Sequence, residues 1–296
     1  MNKAGLIVNV CAIVLDYRGA AKTEVCLSSL IGERISRVLV VDNSSDSLAS
    51  SALQLSVERV RKVADFEILV LDSHENLGFS KGINSAIRFD QESVNPHEAY
   101  FLLNNDAVVH PGVVTTLIAE LGDSDGVGLV APVILNASGG RQGLIWYDRY
   151  FGLQSVTRSP RSFPFLSGCC LLVSTKVLKD GQLFDTSFFM YGEDAQLGWR
   201  MKIEGWDIRC IDRCVVNHSA PGSSVQGSLF YEYHMVRAHL LLALKTWRHP
   251  AEIPLMLVAK LAWLTGRAMV RTMRYRSPLP VVALFMGLLP LSVRKP

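Results

Sequence analysis

At 296 residues the chain is long enough for one large domain or two modest ones. With 49% hydrophobic and 19% charged residues it has ample material for a buried core, which excludes a disordered or low-complexity protein. A net charge of +3 is too small for a dedicated nucleic-acid binder, and six cysteines with no CxxC pair point to free thiols in a reducing compartment.

The N-terminal MNKAGLIVNVCAIVLDY reads as a lead-in and a strand, not a signal peptide, because Asp16 interrupts its apolar run. The spacing then predicts strands at Val10–Leu15, Arg37–Val41, Phe66–Leu71, Tyr100–Leu103 and Gly126–Val130. Helices alternate with them at Ala20–Ile31, after Asn43-Ser44-Ser45-Asp46, at Phe79–Phe89 and at Pro111–Leu121. Continuous apolar runs between helices mean a mostly parallel sheet covered on both faces, with ligands beyond the carboxyl ends of its strands. The stretch 136–165 is rich in Gly, Arg, Ser and aromatics and is expected to be a long loop. A strand at Cys170–Val173, a helix from near Asp194, a strand at Ile208–Ile211 and a helix from about Leu229 to Trp247 follow.

From Lys245 onward the chain carries +8 and the remainder −5. This tail is also apolar, and Pro250, Pro254, Pro278 and Pro280 are expected to divide it into short segments, none an uninterrupted apolar run of membrane-spanning length. A basic, apolar C-terminus on an acidic body suits an anionic membrane surface; core helices or a homodimer interface would also explain it.

Four constellations fall at predicted strand ends. Asp42, after Val40-Val41 and before Asn43-Ser44-Ser45, can accept hydrogen bonds from a base or ribose, or merely precede a helix cap. In ENLGFSKGIN (75–84), Gly78 and Lys81 open a helix in a way that suits a phosphate, and equally suits a plain turn. In LLNND, Asn104, Asn105 and Asp106 offer hard oxygen ligands for Mg²⁺ or Mn²⁺, or an Asx-turn. In FFMYGEDAQLGWR (188–200), Glu193 and Asp194 place acids at a helix start, where one suits proton abstraction and both suit the helix dipole. His218 follows as a candidate imidazole ligand.

In order and spacing these pieces resemble the inverting glycosyltransferases of the GT-A fold, family-two class, and most of all bacterial rhamnosyltransferase-like enzymes of cell-surface polysaccharide assembly such as O-antigen. The matching segments are AIVLDYRG (12–19), VVDNSS (40–45), ENLGFSKGIN (75–84), LLNNDAVV (102–109), FLSGCCLLV (165–173), LFDTSFFMYGEDAQLGWR (183–200) and VVNHSAPGSS (215–224). The resemblance implies an α/β protein: a mixed, mostly parallel nucleotide-binding sheet flanked by helices, with a catalytic domain over 1–248 and a helical C-terminal extension over 249–296. It implies that Val14, Asp16, Tyr17 and Asp42 hold base and ribose, and that Gly78, Lys81, Asn104 and Asn105 lie near the nucleotide. Asp106 and His218 would carry Mg²⁺ or Mn²⁺, Asp194 would be the general base, and Glu193 would bind sugar hydroxyls. The donor would be a dTDP-, UDP- or GDP-sugar and the acceptor a glycan or polyprenyl-diphosphate-linked glycan at the cytoplasmic face of the inner membrane. Segments 136–165 and 219–228 would close over the donor.

The chain departs from the family pattern in three places: Asp16-Tyr17-Arg18 where an Asn-Tyr-Asn-like triplet is usual, Gln196 where a further Asp is common, and Gly181-Gln182 in the approach to Phe184-Asp185. A sugar-phosphate nucleotidyltransferase would need a Gly-rich basic loop after the first strand and a dehydrogenase GxGxxG there; neither is present. A non-catalytic sugar- or membrane-binding relative finds support only in the weakened Asn-Asn-Asp motif.

Overall fold

A computed structural model describes residues 8–218 and 226–289. In chain order the elements are β1 (Val10–Asp16), α1 (Ala20–Ser28), β2 (Arg37–Asp42), α2 (Ser47–Arg61), β3 (Glu67–Asp72), α3 (Gly78–Gln91), β4 (Ala99–Asn104), β5 (Ala107–Val109), α4 (Val113–Gly122) and β6 (Val127–Asn136). There follow β7 (Arg141–Gln142), β8 (Ile145–Asp148), β9 (Gln154–Ser155), β10 (Ser162–Phe165), β11 (Cys170–Ser174), α5 (Glu193–Glu204), β12 (Asp207–His218), α6 (Leu229–Lys245), α7 (Ile253–Tyr275) and α8 (Leu279–Leu288).

The main sheet runs β3-β2-β1-β4-β11-β6-β12-β5. Strands β1 to β4 pair in parallel, β11 lies antiparallel between β4 and β6, β12 is parallel to β6, and β5 closes the edge antiparallel to β12. Successive residues of a strand face opposite layers. On β1, Val10, Ala12 and Val14 pack in the core shared with α1, α2 and α4, whereas Cys11 and Ile13 pack in the core shared with α3 and α5. Helix α2 begins where Asp46 accepts the amides of Leu48 and Ala49, so Asp46 caps that helix and Asp42 does not.

Two expectations are corrected. Residues 136–165 are not a structureless loop: β8, β9 and β10 form a separate antiparallel sheet, and β7 pairs with β6. Tyr147, Phe163 and Phe165 anchor that sheet on Phe188, Trp199 and Leu242, which buries aromatic surface that a loop would leave exposed. The tail prolines do not shorten its first long helix either. Pro254 lies in the first turn of α7, where its missing N–H is no loss, and the helix runs on to Tyr275. Residues 1–7, 219–225 of the expected closing segment, and Arg294 and Lys295 of the basic tail lie outside the described residues.

The C-terminal helices lie on α6, with Val236, Leu264, Ala268 and Leu284 forming their shared core. Charged groups join them as well. Glu232, fully buried on α6, accepts from Arg267 Nη1 and Arg271 Nε at 2.7 Å each. Lys260 is fully buried and donates to the Tyr147 hydroxyl at 2.8 Å, which also meets His239 Nδ1 at 2.8 Å. Burial pulls the Lys260 ammonium down to about 7.

Candidate active site

A cavity of about 460 Å³ opens at the carboxyl ends of β1, β2 and β4. Asn104, Asn105, Asp106, Glu193, Asp194 and His218 all line it, so the acids at 106 and 194 share one crevice.

The turn between β4 and β5 is held from below. The Asn104 amide donates to the Cys169 carbonyl at 2.8 Å, and Asn105 Nδ2 donates to Asp16 Oδ1 at 3.0 Å and Thr23 Oγ1 at 3.1 Å. With Asn105 occupied in this way, Asp106 is the acid presented to the cavity. Pairing of β12 with β5 sets His218 opposite Ala107. That register brings His218 Nε2 to 3.0 Å from Asp106 Oδ1, yet Nε2 is buried and forms no hydrogen bond among the described residues. Two ligand atoms converge without satisfying each other. Neighbouring ligands of an octahedral cation at about 2.1 Å stand about 3 Å apart, so Asp106 and His218 fit Mg²⁺ or Mn²⁺.

The second acid pair is set by a strained approach. Tyr191 and Gly192 both have positive φ, +65° and +84°, and turn the chain sharply into α5. A Cβ at position 192 would lie 3.1 Å from Ala238 Cβ, so the turn is also packed tightly on α6. Asp194 Oδ1 accepts its neighbour Ala195's amide at 2.7 Å, and the Gly168 amide also donates to this carboxylate. Glu193 Oε2 is buried with no hydrogen-bond partner among the described residues. Burial pushes Glu193 up to about 8, with the adjacent Asp194 charge adding to the rise. Burial pushes Asp194 up to about 6, restrained by those backbone hydrogen bonds. Asp194 is therefore ionised at neutral pH and a stronger base than a solvated aspartate, which suits it to accept a proton from a hydroxyl.

Asparagines tie the turns at the strand ends together. Asn43 donates to Asn76 Oδ1 and the Gly78 carbonyl, and accepts from the Leu77 amide and Ser73 hydroxyl. Asn84 holds the backbone at Leu183 and Phe184 through three hydrogen bonds. Gly78 has φ +74°, and a Cβ there would meet the Phe189 carbonyl at 2.3 Å. The Phe79 amide donates to that same carbonyl at 2.7 Å. The turn at 75–78 is thus docked on the loop that carries Glu193 and Asp194.

Of the residues singled out from sequence, Tyr17, Gly78, Asn104, Asn105, Asp106, Glu193, Asp194 and His218 line the cavity. Val14, Asp16, Asp42 and Lys81 do not. Val14 lies on the opposite face of β1 from Leu15 and Tyr17, which do line it. Asp16 is fully buried, accepting from Thr23 and the Gly19 amide as well as Asn105. Asp42 is buried, with Oδ1 accepting the Ser44 amide. Lys81 stands exposed on the outer face of α3. Sequence reasoning did not single out Asn43, Asn76 or the aromatic wall of Phe79, Phe189, Tyr191, Phe230 and Tyr231. The aromatic run Phe230-Tyr231 after a Gly/Ser-rich segment was the available signal.

A second grouping of ligand types, Cys11, Asp90 and His97, is buried at the amino ends of the strands. It does not fit a cation. Asp90 accepts from His97, Tyr100 and Arg37, His97 Nε2 meets Ser36 Oγ, and burial raises the Cys11 thiol far above its usual range.

The sequence profile described as "Glycosyltransferase like family 2" matches residues 23–237. A low-salt glycan biosynthesis hexosyltransferase of Haloferax volcanii is 23% identical over 236 residues, covering 75% of this chain and 71% of that protein. An N-acetylglucosaminyl-diphospho-decaprenol L-rhamnosyltransferase of Mycobacterium tuberculosis is 26% identical over 254 residues, covering 75% of this chain and 80% of the relative. Among solved structures, the mannosyltransferase PcManGT from Pyrobaculum calidifontis in complex with GDP-Man and Mn²⁺ superposes with a TM-score of 0.60 at 17% identity. That match spans 95% of this chain and 87% of the other, and the shared architecture is the GT-A fold.

Proposed function

Because the chain belongs to the glycosyltransferase family 2 class and is a glycosyltransferase, we propose that it is an inverting, metal-dependent enzyme that transfers a sugar from a nucleotide-sugar donor to a hydroxyl of a glycan. The observation that carries this reading is the pair of acids, Asp106 and Asp194, facing one cavity. Asp194 takes the proton of the acceptor hydroxyl as its oxygen bonds to the anomeric carbon. The bond from that carbon to the diphosphate breaks on the opposite side, and one such displacement inverts the configuration. Base assistance of this kind contributes roughly 10²–10⁴-fold. Asp106 and His218 would hold the divalent cation, which when bound supplies positive charge at the departing diphosphate. Glu193, protonated at neutral pH, donates to a sugar hydroxyl. Tyr17 and the other wall aromatics stack on flat faces of base and sugar and keep out water that would hydrolyse the donor.

Rhamnose is the first donor sugar to test, supported by the similarity to a rhamnosyltransferase. The acceptor class is a glycan carried on a polyprenyl diphosphate, with residues 1–248 as the catalytic unit and 249–296 as a C-terminal segment at the cytoplasmic face of a membrane. Incubation with dTDP-rhamnose, then UDP- and GDP-sugars, in the presence of Mn²⁺ tests the reading. The expected result is acceptor-dependent release of one nucleoside diphosphate and a product of inverted anomeric configuration by NMR. A retained configuration would overturn the single-displacement mechanism.

A further inference from the structure

The charge of the C-terminal segment is not where its sequence suggests. Lys245 pairs with Asp185 at 2.7 Å, Lys260 is buried, and Arg267 and Arg271 are spent on Glu232. What α7 turns outward is apolar. Leu255, Val258, Ala262, Gly266, Met269 and Met273 follow one another at steps of three or four, which places them on one helix face. Leu255 is 60%, Val258 64%, Met269 58% and Met273 71% exposed, and Phe285 on α8 is 65% exposed. Helix α7 contains no acid. Exposed Trp247 and Arg248 precede it, and exposed Arg274 and Arg276 end it, neither of the latter two with an acidic partner among the described residues.

We propose that this outward face of α7 docks on an anionic lipid bilayer, its apolar stripe sunk among the acyl chains and Arg248, Arg274 and Arg276 level with the phosphates. The distribution is that of an interfacial helix: an apolar face, cations at its rim and an aromatic at the boundary. By length and composition, 250–275 would also serve to span a membrane. The opposite face of α7 excludes that. Lys260, Arg267 and Arg271 are bonded to Tyr147 and Glu232 of the catalytic body, and spanning would strip these pairs and carry three cations into hydrocarbon. The helix therefore lies on the surface.

The inner face of α7 also meets the wall of the active site. Arg271 stacks on Tyr231, which lines the cavity, with 5.4 Å to the ring centroid, and on Tyr275 at 4.8 Å. The Gly227 backbone, next to the cavity residue Gln226, packs on the Tyr275 ring. The C-terminal end of α7 is thus joined through its inner face to the cavity wall, which ties the docked helix to the site that would receive a lipid-linked acceptor. This rests on the reading of a lipid-linked acceptor.

The test is co-sedimentation of the full chain with phosphatidylcholine vesicles, with and without phosphatidylglycerol. The triple variant Val258→Glu, Met269→Glu, Met273→Glu should lose binding to both by at least tenfold, since the stripe itself is disrupted. Arg274→Ala with Arg276→Ala should lower affinity for the anionic vesicles by about fivefold per residue and leave zwitterionic binding unchanged. Turnover on a water-soluble glycan acceptor reports separately on the glycosyl-transfer reading and on folding, and should match wild type in both variants. Vesicle binding of the triple variant equal to wild type would overturn the docking face. So would a wild-type chain that ignores vesicles and elutes as a dimer which the triple variant splits.

Discussion

Two groups of buried acids occupy opposite ends of one sheet, and burial acts on them with opposite outcomes. At the amino end, burial works against Asp90, but hydrogen bonds from His97 and Tyr100 outweigh it and hold the carboxyl below its usual range. At the carboxyl end, Glu193 and Asp194 are raised by burial because fewer donors meet them. Each end also has an Asp–His pair. Asp90 and His97 are 2.7 Å apart in a hydrogen bond with their other polar atoms engaged, whereas Asp106 and His218 are 3.0 Å apart with Nε2 unbonded among the described residues. The same residue types build structure where their valences are met and chemistry where they are left open.

Substitutions that exchange the roles of the two ends sharpen this contrast. The largest effect is expected for Asp194→Asn, which should lower the transfer rate about 10²–10⁴-fold while nucleotide affinity, read by calorimetry, stays within a few-fold. Near-wild-type turnover would assign the base elsewhere. Asp90→Ala should do the reverse. Removing it strands His97, Tyr100 and Arg37 and costs about 3–5 kcal/mol in denaturant unfolding, with turnover per folded molecule unchanged. His218→Ala should weaken Mn²⁺ binding about 10–100-fold, measured by titration with the nucleoside diphosphate present, and His97→Ala should not.

The smallest effect tests the sign of burial. Burial pushes Glu193 up to about 8 in the folded protein from its ordinary 4.5, so the native state favours its protonated form. That preference costs nothing below pH 4.5 and grows as pH rises toward 8. Glu193→Gln should therefore raise stability at pH 8 and leave it unchanged at pH 4, read by denaturant unfolding at the two pH values. A stability loss at pH 8 would mean the carboxylate is held by donors and the contrast fails at this residue. On the same basis transfer should fall as pH drops through about 6, where Asp194 protonates.

The parallel half of the sheet was legible because each of its strands is a continuous apolar run, and the polar turns that end those runs mark the cavity. Which acid of a turn faces that cavity was not. Asp16 and Asp106 both follow apolar strands, but Asp16 is on the α1 side of β1, bonded to Thr23, and Asp106 is across from a histidine brought by a strand far along the chain. Tertiary pairing decided between them. Lys81 looked like a phosphate ligand from its glycines, yet the helical phase of α3 turns it outward while Ile83, two residues on, faces the core. The small sheet at 145–165 was hidden because its strands are two to four residues long, too short for alternation to register, and are stabilised by Phe188, Trp199 of α5 and Leu242 of α6.

One irregularity in β12 has a wider consequence. Ile211 pairs with Pro132 and Val215 with Val133, so Asp212, Arg213 and Cys214 are surplus to the ladder. Because side chains alternate, an odd insertion sets the phase of everything after it, including the imidazole seven positions beyond Ile211. Excising a single one of the three would leave every motif intact letter for letter while rotating that ring to the far side of the sheet. For this scaffold, then, an indel remote from the crevice is a graver lesion than many point changes within it, and loop grafts between homologues must preserve the parity of that bulge.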